Sequence, residues 1–174
     1  MKKLMCAAMF LFALGVAGTV SAASPSPGRI FSPPGEKFSI SFPDAYVTKD
    51  DVRDGMTTYL DLTDSGLYAV TAMEIPANLR EWTKNHPDLV LNGAADEVLR
   101  NAEVRNRNKV TVAGLPGEDI TAIDDTGYES IHLHLRIIAS DDRVYVLTVV
   151  GDETVTAKAK AFFDSFKPRT SVAY

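Results

Sequence analysis

His132 and His134 come nearest, by type and spacing, to a residue set that could do chemistry. On an extended strand the i, i+2 spacing puts both imidazoles on one face, about 7 Å apart along the chain. Placed so, they could fill two corners of a zinc site. Arg136 is the next residue on that face, and a guanidinium there opposes a metal cation. A three-residue turn at 140–142 pairs Ala139 with Arg143, setting His134 opposite Thr148 and His132 opposite Val150. Neither is a good ligand. Two ligands rarely suffice, so a covered or half-exposed strand face is the first reading and metal binding the second.

The acidic turns are the second candidate. Consecutive hairpin turns of a meander fall at alternating ends of a sheet. Asp124, Asp125 and Glu129 therefore belong at the same end as Asp152 and Glu153, away from Asp141 and Asp142. Carboxylates gathered at one edge could draw a hard cation such as calcium. The Asp-x-Asp-x-Asp-Gly loop is absent, however, and Asp forms turns readily by bonding its own backbone. Solvated turns are the favoured reading, with Asp152 able to cap the helix that follows.

Catalysis finds less support. Beyond residue 22 the chain has no cysteine nucleophile and no Gly-x-Ser-x-Gly elbow. It has no glycine-rich phosphate loop and no His-Glu-x-x-His helix. His86 precedes Pro87 and ends a loop, while Trp82 reads as a packing residue. Arg100, Arg105, Arg107 and Lys109 read as a solvated face, with partner docking as the lesser reading. The sequence assigns no catalytic residue, no metal-ligand set and no cofactor. A hydrolase site assembled from distant positions is the third reading.

The elements that must position these residues follow from periodicity. Phe38, Ile40 and Phe42 alternate with polar neighbours up to Pro43, which predicts a half-buried strand. Residues 56–63 and 67–75, separated by Asp64-Ser65-Gly66, predict a hairpin. Apolar residues spaced by three and four predict a helix over 87–102, with a shorter one at 77–85. Residues 109–113 lead to Gly114-Leu115-Pro116-Gly117, where Pro-Gly suits the centre of a type II turn, and a strand over 118–123 follows. Residues 129–139 carry Ile131, Leu133, Leu135 and Ile137 on one face, with Ser130, His132, His134 and Arg136 on the other. Residues 143–150 are apolar on both faces, as expected of a strand covered on both sides. A closing helix over 153–166 carries Val155, Ala159, Phe162 and Phe166 on one stripe, and Pro168 stops it. Phe162 and Phe166 are expected to dock on the face bearing Leu133, Leu135 and Leu147 or on its opposite. The fold class is α+β, an antiparallel sheet flanked by helices.

The ends bound the compartment. Lys2 and Lys3, an uncharged apolar run from Leu4 to Val20, and small residues Ser21-Ala22-Ala23 form the pattern of a cleavable secretory signal over 1–22. The run is shorter than the ~20 apolar residues a spanning helix needs, so no stable membrane anchor is expected after cleavage. Residues 23–29 read as a flexible tether, 30–168 as one domain and 169–174 as a tail. Removing 1–22 takes out the sole cysteine and two lysines, leaving 16 basic against 23 acidic residues and a formal charge of −7. That balance argues against nucleic acid as a partner, which requires clustered Lys and Arg.

The order of these elements resembles a known family. It comprises the Phe-x-Ile-x-Phe-Pro strand, the mid-chain helix, the Gly-x-Pro-Gly step into a meander, the Val-Tyr-Val-Leu-Thr-Val-Val strand and the closing Phe162-Phe163-Asp164-Ser165-Phe166-Lys167. It is similar, over residues 30–168, to the PsbP-like superfamily. The resemblance implies an α/β/α sandwich, shared with a yeast Ran-binding protein and periplasmic DcrB-type proteins. It also implies a non-enzymatic accessory or binding protein; together with the signal over 1–22, the expectation is a protein exported to the periplasm or beyond, whose partner is another protein or a small ligand. No binding residue carries over from it. Sequencing the N-terminus of protein recovered from the exported fraction should find it at or within a few residues of Ala23; an intact Met1 would remove the basis for export.

Overall fold

In the computed structural model, which describes residues 30–43, 47–53, 55–127 and 130–169, alternating segments become strands and segments spaced by three and four become helices. The first half contains β1 (Ile30–Phe31), β2 (Phe38–Ser41), β3 (Thr48–Arg53), β4 (Met56–Thr63) and β5 (Gly66–Glu74). A 3-10 turn at Ala77–Leu79 then leads into α1 (Arg80–Asn85) and α2 (Pro87–Val98). The second half contains β6 (Glu103–Val112), β7 (Leu115–Asp124), β8 (Ile131–Ala139), β9 (Arg143–Gly151), α3 (Val155–Asp164) and β10 (Lys167–Pro168). The expected signal, the tether, Glu129 and residues 170–174 lie outside the described residues.

Seven strands form one antiparallel sheet in the order β3-β4-β5-β9-β8-β7-β6, and β1-β2-β10 form a second, small one. The doubly apolar β9 takes the central position. One of its faces carries Tyr145, Leu147 and Val149; with Tyr59, Tyr68, Val70 and Ile138 they pack against β2 and α3. Its other face carries Val144 and Val146; with Ile120, Ala122, Leu135 and Ile137 they pack beneath Leu91, Ala95 and Leu99 of the α2 region. The layers are thus α/β/α, with the small sheet lying beside α3 in one outer layer.

Ring contacts join these layers. Phe38 of β2 stacks on Phe166 at 5.6 Å and meets Tyr145 edge-on at 5.8 Å, while Phe162 meets Tyr68 at 5.4 Å. The start of α3 is seated by glycines. A Cβ on Gly151 would lie 2.5 Å from Val155 Cγ1, and one on Gly66 would lie 2.4 Å from the Val150 carbonyl oxygen. Both positions exclude a side chain, and the space between them holds the buried Val155.

Several expectations need correction. The turn between β6 and β7 is at Ala113-Gly114, both with positive φ (51° and 85°), flanked by the pair Val112–Leu115. That is the backbone of a two-residue hairpin turn. Pro116 and Gly117 are therefore inside β7, where Pro116 pairs with β6 alone and leaves no β8 bond unmade. The β8–β9 register is shifted by one residue from the expected one, and the Ser140 hydroxyl donates to the Arg143 carbonyl and accepts from its N–H across the turn. Ala139 pairs with Val144, so His134 faces Val149, His132 faces Gly151 and Leu147 faces Arg136. Phe162 and Phe166 accordingly dock on the face bearing Leu147, and Leu133 and Leu135 lie on the opposite one.

The ordered strand β6 also begins earlier than expected, at Glu103, and β3 was not anticipated. Lys167–Pro168 does not merely end a helix: it pairs with β2, and the Arg169 N–H donates to the Lys37 carbonyl. Phe162→Ala should cost about 3–5 kcal/mol in equilibrium denaturation. A loss below about 1 kcal/mol would make α3 peripheral to the core.

Candidate functional site

His132, His134 and Arg136 stand in a row on the β8 face beneath α3, as their spacing requires. His134 is buried, 8% exposed, and its Nε2 lies 3.1 Å from Thr156 Oγ1 in the first turn of α3. Burial, aided by the neighbouring His132, holds its pKa below the ordinary histidine value. Among the described residues no three His, Cys, Asp or Glu side chains group closely enough to hold a metal ion. The register explains this for the histidines: Val149 and Gly151 stand opposite on β9, and Thr121 and Ile123 on β7.

A recess of about 130 Å³ opens beside His134, lined also by Asp119, Arg136, Thr156, Lys160 and Phe163. Arg136 fills much of its chemistry. Its Nε and Nη2 donate to the two oxygens of Asp119 at 2.6 and 2.7 Å, its Nη1 reaches Asp164 at 3.2 Å, and its guanidinium lies over the Phe163 ring. The Asp119 hydrogen bond raises the Arg136 pKa, and Lys160 with Arg136 keeps the Asp164 carboxyl below its ordinary value. Sequence reasoning missed this network. Asp119 and Arg136 are directly cross-strand, a relation visible only once the β7–β8 register is known.

A second recess, about 230 Å³, lies at the other end of β9, lined by Glu36, Gly55, Met56, Thr57, Ala72, Glu74 and Arg143. Arg143 bridges Glu36 and Glu74. Arg143 and Glu36 are 12% and 11% exposed, so this is a largely buried pair with Glu74 at its open side. Tyr59 donates to Glu36 at 3.3 Å, and the Tyr145 hydroxyl donates to the Lys37 carbonyl at 3.2 Å. Burial pushes the Tyr145 pKa up to about 12, so the phenol keeps its proton. Lys37 pairs with Asp142 alongside. Burial works against the Asp142 carboxylate, but the Lys37 hydrogen bond and the charges of Lys37, Arg143 and Arg80 together outweigh it and leave the pKa lowered. The β8–β9 turn is in this way clamped by charge to the segment leading into β2.

The acidic edge is assembled as expected for its described members, since Asp124 ends β7 and Asp152 follows β9 at the same end of the sheet. Each carboxylate serves its own turn. Asp124 accepts from the Thr126 N–H and hydroxyl, and Asp152 accepts from the N–H and hydroxyl of Thr154. The Thr154 bonds lower the Asp152 pKa. Asp152 therefore shapes the turn ahead of α3, whose capping residue is Thr154. The basic run is exposed, with Arg100 in the turn before β6 and the rest on β6, and its cations are engaged: Arg100 with Glu97, Arg107 with Glu118 and Asn92, Lys109 with Asp88, Arg105 with Glu103. Trp82 is half-exposed and stacks on His86 at 4.9 Å, so neither is a core residue.

No protein-family model matches the sequence, and no curated protein matches it. Among solved structures, the chain is similar to the solution structure of cyanobacterial PsbP (CyanoP) from Synechocystis sp. PCC 6803. The TM-score is 0.57 at 18% identity, covering 89% of this chain and 98% of that one. The fold is PsbP-like. A crystal structure from Bacteroides thetaiotaomicron VPI-5482 is similar at a TM-score of 0.53 and 14% identity, covering 84% of this chain and 50% of that one. Likeness at these identities concerns the PsbP-like architecture and carries no binding residue with it.

Within this PsbP-like frame the Glu36–Arg143 pair makes an asymmetric prediction. Arg143→Met strands a buried carboxylate and should cost about 3–5 kcal/mol, whereas replacing both partners by apolar residues should restore much of that loss. Urea denaturation of Arg143→Met and of the Glu36→Met/Arg143→Met double variant decides it. A single variant as stable as the parent would show that the pair contributes nothing.

Proposed function

We propose that the protein is exported and acts there as a non-enzymatic accessory or binding protein, with another protein as its partner. One observation carries the reading: every charged side chain lining the two recesses is already paired within the molecule. Glu36, Glu74 and Arg143 satisfy one another, as do Asp119, Arg136, Asp164 and Lys160, and His134 is bonded to Thr156. A catalytic site instead presents a nucleophile or base toward an open position. The recesses, about 230 and 130 Å³, are also smaller than the ~300 Å³ at which small-molecule pockets begin.

Export rests on the basic, apolar and small-residue order of residues 1–22. None of the helices among the described residues is long and apolar enough to cross a membrane. The likeness to CyanoP supports the architecture on which this reading is built and supplies no partner.

Cross-linking in the exported compartment, followed by mass spectrometry, should join this chain reproducibly to one protein, and the purified pair should then bind in calorimetry. Failure of direct binding, together with ester or phosphoester turnover by the purified chain, would replace the reading with an enzymatic one. A thermal melt tests the metal alternative separately. A ligand at a hundredfold excess over its Kd stabilises by about 2.7 kcal/mol, which is several degrees in a domain of this size. Zn²⁺, Ca²⁺ and chelator are expected to leave the midpoint unchanged. A rise of several degrees that His132→Gln/His134→Gln abolishes would place metal binding first.

A further inference from the structure

His134 is packed where a positive charge has no counterion. Its ring reaches from the centre of the sheet to the hydroxyl of Thr156, the second residue of α3. That turn lies at the positive end of the helix dipole. On its own strand it is flanked by His132 and Arg136. From β7 it faces Thr121, with Asp119 one step along and held at both oxygens by Arg136. From β9 it faces Val149. From α3 come Lys160 and Asp164, paired with each other and, through Asp164, with Arg136. Lys158 of α3 and Glu153 ahead of it are exposed, and Asp152 is bonded to Thr154. Every carboxylate packed around the imidazole is thus committed to another group or lies in solvent.

The two halves of α3 are held differently. Phe162 and Phe163 anchor the C-terminal half in the aromatic core, with Arg136 bonded to Asp164 and lying over Phe163. The N-terminal half is held by Val155 in its glycine-lined space, by Ala159 and by the His134–Thr156 contact, and the 130 Å³ recess lies beside it.

We propose that His134 is an acid-release latch: neutral, it ties β8 to the first turn of α3; protonated, it drives that turn off the sheet and uncovers Val155, Ala159 and the recess beneath. The sign follows from linkage. Burial and His132 lower the folded-state pKa, so the opened form binds the proton more readily than the closed one. The closed turn is at full stability above the ordinary histidine range, near 6.5. It loses stability as pH falls through that range toward the lower folded value.

Hydrogen exchange read by mass spectrometry at about pH 7.5 and about pH 5, on either side of the histidine range, tests the latch in the mature protein. After correction for intrinsic rates, amides 155–159 should exchange several-fold faster in acid, while those of 162–166 stay unchanged. His134→Gln should exchange alike at both pH values, and His132→Gln should keep the acid response. Equal protection of 155–159 at both pH values in the parent, or an undiminished acid response in His134→Gln, would overturn the proposal. Should the variant fail to fold, the NMR titration of the His134 ring in the parent decides. A midpoint below that of the acid-unfolded chain supports the latch; one at or above it refutes it.

Discussion

The central constraint on this molecule is that β9 is apolar on both faces. Tyr145, Leu147 and Val149 point one way and Val144 and Val146 the other, so neither side of the strand tolerates water. A two-layer arrangement leaves one of those sets exposed; a third layer is required. The chain supplies it from segments far apart in sequence, with α2 below and α3 and β2 above. The position of β9 at the middle of seven strands follows from the same need, since a central strand is the one farthest from either open edge. Edge strands β3 and β6 are instead polar: Thr-Lys-Asp-Asp-Val-Arg and Glu-Val-Arg-Asn-Arg-Asn-Lys-Val-Thr-Val. Charges on an edge discourage further strand pairing.

Period was legible in the sequence and register was not. The alternation of residues 131–139 places His132, His134 and Arg136 on one face, because a period of two fixes faces whatever the partner strand does. Which residues stand opposite depends on turn length. A one-residue shift in the β8–β9 register puts Leu147 on the face of Arg136 and not on that of Leu135. The Ser140 hydroxyl bonds across that turn, and the local dipeptide Pro116-Gly117 puts the centre of the other turn three residues beyond its true place at Ala113-Gly114. The PsbP-like layering was legible from element order, since it depends on hydrophobic pattern alone. The Glu36–Arg143 and Asp119–Arg136 pairs were not, since each joins residues whose proximity is a product of the finished topology.

These pairs show how the protein accommodates charge at the margins of its core. Arg136 sits midway along the β8–β9 hairpin and Arg143 at its turn, each in contact with two carboxylates. Breaking such a pair costs far more than the pair contributes, so it selects one packing against alternatives in which an arginine would be stranded. Packing of β2 and α3 on one face is thereby specified by charge as well as by the fit of aromatic rings. His134 stands between His132 and Arg136 on β8 without a carboxylate of its own, and in this it differs from the two arginines.

The small sheet has a consequence for how the protein is made. β2 bonds to β10, and the Ser41 N–H is capped by the Ser165 hydroxyl across 124 positions of chain. Phe38, Ile40 and Phe42 bury themselves chiefly against rings and strands that come much later in the sequence. Contacts so distant form late, because the loop between them must be closed before they return any free energy. A nascent chain leaving the ribosome therefore carries a β2 whose contacts with Phe162, Phe166 and β10 are unmade until α3 and β10 have been synthesised. Throughout that interval the Phe-Ser-Ile-Ser-Phe segment lacks the partners that bury it in the finished fold.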